Sequence, residues 1–146
     1  MIDNTRSGLQ IESLTKTFGP HMALDNVSLS VPAGCFASIL GPSGCGKTTL
    51  LMLVAGLEKP DRGRVLALGE DITDVPVEKR GIGLVFQSYA LFPNLTVSEN
   101  ILYGLRSRKA PESVMKERLE EMLELTFLTD FRHRMPRELS GGQQQR

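Results

Sequence analysis

At 146 residues, with 17 basic and 17 acidic side chains and no net charge, the chain is long enough for one domain with a real core and too short for two. The acids and bases are interspersed, which excludes electrostatic capture of nucleic acid or of an anionic membrane surface, so any phosphate it binds must be held by local geometry. The presence of only Cys35 and Cys45, the lack of a charged-then-apolar leader, and apolar runs far shorter than the ~18 residues of a spanning helix together predict a reducing, cytoplasmic setting in which another chain does any spanning.

Residues 1–8 are polar and read as a loose leader, with a single domain over 9–146. From Leu9 the pattern is strand-like: Leu9, Ile11 and Leu14 approach alternation, and Val27, Leu29 and Val31 alternate strictly up to Pro32, predicting a small antiparallel region. Cys35 to Leu40 is a continuous apolar run closed by Gly41-Pro42, the pattern of a strand buried on both faces. Lys47 to Ala55 then predicts a helix stopped by Gly56. Arg64 to Leu68 and Ile82 to Phe86 are two further strand candidates, with turn chemistry at Gly69 and Pro76 between them.

The second half changes to helical period. Thr96 and Glu99 stand at capping-box spacing and predict a helix to about Leu105, and Pro111 reads as a first-turn proline opening another. In that second helix Met115, Leu119, Met122 and Leu123 fall on one face, as a core stripe. A helical subdomain of about 88–139 follows from this change of period.

Strand, glycine loop and helix in that order frame the motif Gly41, Pro42, Ser43, Gly44, Cys45, Gly46, Lys47, Thr48, Thr49. Glycines at 41, 44 and 46 let successive backbone N–H groups curl around phosphate oxygens without Cβ clashes. Lys47 is placed to reach the β and γ phosphates, the Thr48 hydroxyl to take a Mg2+ position, and the helix to point its positive end at the same anion. Cys45 reads as a small side chain tolerated at a variable loop position. A second glycine-rich segment, Leu139 followed by Ser140, Gly141, Gly142 and Gln143, reads as an anion nest at a helix start with Ser140 as cap and as donor to a γ-phosphate.

The phosphate loop with LSGGQ about ninety residues later resembles the ATPases of ABC transporters. The resemblance covers Leu9 to Arg146 and extends to Phe18 in KTFG, which resembles the aromatic that stacks on adenine, and to Gln87 in GLVFQSYALFPNLTVSEN, which resembles the glutamine that senses Mg2+ and the γ-phosphate. It implies an α/β fold of the P-loop type with an antiparallel β subdomain and a helical subdomain. It also implies ATP and Mg2+ as ligands, and a dimer in which Ser140 to Gln143 face the ATP on the partner's phosphate loop. Ser88 to Pro93, with Tyr89 and Phe92 as an interface anchor, would meet a membrane-spanning permease that a solute-binding protein serves in turn. The wording is most similar to importer subunits for polyamines, ferric iron and phosphonates, peripheral on the inner face of the membrane.

Members of that family also carry an apolar strand ending Asp-Glu and then a histidine that contacts the γ-phosphate, both after the signature, where this sequence has no residues. The only histidines, His21 and His133, precede LSGGQ, and Glu70 and Asp71 read as a turn between β elements. The 146 residues are therefore expected to leave the central sheet incomplete and to hydrolyse ATP barely or not at all. Two readings compete with a working importer subunit: a truncated, catalytically dead remnant that at most binds nucleotide or docks on a partner, and an ABC-type ATPase of DNA repair or translation. The Gln87 surroundings and the neutral charge balance weigh against the last.

Overall fold

A computed structural model of the chain describes residues 7–146, so positions 1–6 of the expected leader lie outside the described residues, while Ser7 and Gly8 already belong to a strand. The chain divides into two compact units, Met1–Leu84 and Val85–Arg146.

In the first unit, β1 (Ser7–Phe18) and β2 (His21–Pro32) form an antiparallel hairpin, and β3 (Arg62–Ala67) and β4 (Glu70–Asp71) complete a sheet of order β2-β1-β3-β4. All three pairings are antiparallel. The alternation of Val27, Leu29 and Val31 is realised as half-buried residues between exposed Ser28, Ser30 and Pro32. The three-residue step from Ile11 to Leu14 breaks the period of two, yet both side chains are buried. A bulge resolves this: the register shifts between them and Ser13 adopts φ 51°, which returns Leu14 to the core face. Leu68 and Gly69, both at positive φ, make the two-residue turn from β3 to β4.

The helix α1 (Lys47–Ala55) buries Leu50 and Leu53 against Ile11, Leu14 and Leu24 of the sheet, together with Val65 and Ile72. Its far end is closed by Gly56 in the left-handed conformation, and then by Arg80. The Arg80 guanidinium donates to the carbonyls of Leu53 (2.8 Å), Val54 (2.9 Å), Thr73 (2.6 Å) and Val75 (2.7 Å), tying the helix terminus to the segment after β4. A Cβ at Gly56 would sit 2.4 Å from Arg80 Nε, so the glycine leaves the room in which the guanidinium lies.

Two expected strands are absent. Cys35 to Leu40 and Ile82 to Phe86 have no regular structure; Phe36 is 96% exposed, Leu40 89% and Val85 94%. An apolar run becomes a strand only when a neighbour satisfies its backbone N–H and C=O groups, and no described strand pairs with either segment.

In the second unit, α2 (Val97–Ser107) opens with the expected capping box. Glu99 N–H donates to Thr96 Oγ1 (3.3 Å), and Thr96 N–H and Oγ1 donate to the Glu99 carboxylate (both 2.8 Å). Pro111 stands one position earlier than expected, as the N-cap of α3 (Glu112–Leu125). Met115, Leu119 and Met122 are half-buried and Leu123 is fully buried, meeting Val97 and Leu128 in a small core. The last helix, α4 (Gly141–Gln145), has five residues.

Candidate functional site

The hairpin turn Gly19-Pro20 makes Phe18 and His21 cross-strand partners at the end of the sheet. The loop before α1 arrives beside them, because Gly46 packs directly on β2. A Cβ at Gly46 would lie 2.4 Å from the Ala23 carbonyl oxygen, and its φ of 90° is one that other residues rarely adopt. The result is a cleft of about 180 Å3 in which Phe18, His21 and Ala23 face Gly44, Gly46, Lys47, Thr48 and Thr49. Six of the residues expected to hold a nucleotide thus share one cavity.

The charge arrangement suits an anion. No acidic residue stands in the first turn of α1, so the positive end of the helix is uncompensated. Lys47 folds back over the loop, its ammonium donating to the carbonyls of Gly41 (2.8 Å) and Pro42 (2.6 Å) and lying 3.5 Å from Cys45 Sγ. Backbone carbonyls, and no carboxylate, hold this charge, so a phosphate can replace them without breaking an ion pair. Ser43 and Cys45 are exposed on the same loop. Among the described residues no three His, Cys, Asp or Glu side chains cluster as a metal site. The exposed Thr48 hydroxyl lies at the helix start within the cleft.

The remaining expected residues lie in the second unit. Gln87 is exposed in a turn. Ser140 and Gln143 form a reciprocal box: Gln143 N–H donates to Ser140 Oγ (3.3 Å) and Ser140 N–H to Gln143 Oε1 (2.8 Å), with Gly141 and Gly142 exposed between them. Gln144 Nε2 fixes the segment by donating to the carbonyls of Pro136 (2.9 Å) and Leu139 (3.2 Å). In the 88–93 stretch, Tyr89 is part-exposed and Phe92 stacks on Tyr103 at a centroid distance of 4.1 Å. Asn100 pins that loop, accepting from Phe92 N–H (2.9 Å) and donating to the carbonyls of Phe92, Leu95 and Thr96. Glu70 and Asp71, expected as a turn, instead form the short strand β4 because the turn closes earlier, at Leu68 and Gly69, and the Asp71 carboxylate accepts from Thr73 N–H (2.9 Å).

Sequence reasoning missed two parts of the cleft. His21 faces it because a two-residue turn makes positions 18 and 21 neighbours, a signal present in Gly19-Pro20. Ala23 faces it only because Gly46 packs there, which no local pattern announces.

The family profile described as ABC transporter matches residues 24–146. The spermidine/putrescine import ATP-binding protein PotA of Nitrosomonas eutropha is 51% identical over 94% of this chain and 38% of its own length. The Fe(3+) ions import ATP-binding protein FbpC of Photorhabdus laumondii is 50% identical over 94% of this chain and 39% of its own. The chain therefore spans a little over a third of these relatives. Among solved structures, the ATP-binding cassette MJ0796, in a dimeric post-hydrolysis state bound to ADP and Pi, superposes with TM-score 0.82 at 34% identity, over 93% of this chain and 65% of that one.

Proposed function

Since this chain belongs to the ABC transporter family, as part of its ATP-binding domain with the α/β fold of those cassettes, we propose that it binds ATP with Mg2+ and serves an importer of a small solute. The observation that carries this reading is the single cleft joining Phe18 to Gly44, Gly46, Lys47 and Thr48. Adenine stacks on Phe18. The β and γ phosphates lie on the loop amides at the α1 N-terminus, and the Lys47 ammonium leaves the Gly41 and Pro42 carbonyls to take phosphate oxygens. Thr48 would offer its hydroxyl to Mg2+, which would supply charge neutralisation across the phosphates, and the part proposed for Gln87 rests on its resemblance to the family's sensing glutamine. Ser140 to Gln143 meet the ATP of a second copy, consistent with the dimer of MJ0796.

On this reading the partners are a second ATP-binding subunit, a membrane-spanning permease, and through it a solute-binding protein. Nucleic acid has no part. No helix among the described residues is long and apolar enough to cross a membrane, in keeping with a peripheral subunit on the cytoplasmic face. The test is ATP binding measured by calorimetry. Lys47→Ala is expected to weaken it about 10- to 100-fold, the loss of charge-assisted hydrogen bonds to phosphate; unchanged affinity would sink the reading.

A second reading, nucleotide binding without turnover, has its own observation. None of the residues lining the cleft is a carboxylate that would position an attacking water. These 146 residues alone are expected to release almost no phosphate from ATP. Turnover that depends on both Lys47 and Gln87 would overturn this.

A further inference from the structure

Lys16 stands two residues before Phe18 on β1, and its side chain is only 12% exposed. Its ammonium donates to the Lys59 carbonyl (2.7 Å), lies 3.3 Å from a Glu58 carboxylate oxygen, and sits over the Phe18 ring 5.0 Å from its centroid. Three partners match the three donors of an ammonium. The anchor is rigid, because Leu57 N–H and Glu58 N–H both donate to the Met52 carbonyl at the end of α1. Phe18 lines the phosphate-loop cleft, and Lys16 does not. The charge thus sits on the ring without being part of the cleft that the ring helps to line.

We infer that Lys16 is a positioning residue for the nucleobase: it holds the Phe18 ring at a set distance from the phosphate loop and primes its open face to stack a purine. The inference rests on the proposed role of Phe18. Two physical effects support it. A ring 44% exposed at a strand end would otherwise turn freely, and Lys16 ties it, through Glu58 and Lys59, to the helix whose other end carries the loop. Base platform and phosphate cradle are thereby held at a constant span. A cation on one face also draws π density toward itself, which lowers repulsion between the opposite face and the π cloud of an electron-rich base.

The test titrates the chain calorimetrically with ATP and, separately, with inorganic tripolyphosphate, which has no base. Lys16→Met keeps the aliphatic stem and removes the charge. It is expected to weaken ATP roughly two- to fivefold, the size of a cation–π contact at a part-exposed ring, with tripolyphosphate unchanged. Lys16→Arg is expected to restore most of the ATP affinity. In a Phe18→Ala background, Lys16→Met is expected to add nothing. Equal losses for ATP and tripolyphosphate, or additive losses in the double variant, would overturn the inference. Phe18→Ala weakening ATP while Lys16→Met does not overturns it alone, whereas Phe18→Ala without effect removes the adenine reading and this inference together. Should Lys16→Met not fold, Glu58→Gln, which loosens the same ammonium, is expected to shift ATP in the same direction and spare tripolyphosphate, and no such split would count against the proposal.

Discussion

Cys45 illustrates how a single position can report on the whole site. Its thiol is exposed on the loop, 3.5 Å from the Lys47 ammonium, and a Cβ at Gly41 would come within 2.8 Å of its sulfur. A phosphate drawn into the loop would take the ammonium away and cover the sulfur. Maleimide labelling of Cys45 is therefore expected to be fast in the free chain and slowed severalfold by ATP. Equal rates with and without nucleotide would place the phosphate elsewhere. Cys35 is also exposed and provides the internal control, since its labelling is expected to ignore ATP.

At the level of elements, two helix ends are each held by one charged side chain. Burial lowers the pKa of Arg80, which nonetheless stays charged, and its guanidinium takes four carbonyls around the C-terminus of α1. Arg80→Met takes the guanidinium from those carbonyls in a part-buried setting, leaving Leu53 with only the Gly56 N–H. We expect a loss of about 2–3 kcal/mol in urea unfolding of the first unit, with Arg80→Lys recovering only part because one ammonium cannot span the same fork. Glu99 does the corresponding work at the start of α2. Hydrogen bonds from the Thr96 backbone and then from its side chain hold the Glu99 carboxyl below its usual pKa. The sign follows from proton binding: a carboxylate with a depressed folded pKa adds stability above its unfolded value, and this is lost as pH falls through the folded one. Glu99→Gln is thus expected to lower the melting temperature of the second unit at pH 7, with the gap from the parent chain closing on acidification to pH 3. Thr96→Ala, which removes the cap itself and one hydrogen bond to the carboxylate, is expected to cost about 1 kcal/mol at pH 7 and less at pH 3.

Taken as a whole molecule, the chain exposes apolar side chains that its own strands do not cover. Phe36, Ile39 and Leu40 before the phosphate loop, and Val85 and Phe86 in the second run, lie open among the described residues. Patches of this kind drive association. Sedimentation of the 146-residue chain is expected to show concentration-dependent self-association, reduced when Phe36 and Leu40 are both replaced by Ser. A monomer at all concentrations would show that these runs find cover within the chain.

What could be read from the sequence were the features whose physics is local. The capping box at Thr96, the cap at Ser140, the strict alternation of β2, the turn at Gly69 and the glycine loop leading into α1 each depend on neighbours a few residues away, and each is found where its pattern predicts. The core face of α3 was legible for the same reason, its side chains repeating with the helical turn. Cys35 to Leu40 and Ile82 to Phe86 were misread because hydrophobicity marks a segment that can be a strand, whereas being one requires a hydrogen-bonding neighbour that composition does not supply. Only the tertiary structure revealed the bulge at Ser13, the reach of Arg80 across to α1, and Lys16 beneath the ring of Phe18. The reach of Arg80 joins segments far apart in the chain, while the bulge and the seat of Lys16 over a ring two residues away are set by the strand and the helix end packed against them, and the order of residues carries no periodic trace of any of the three.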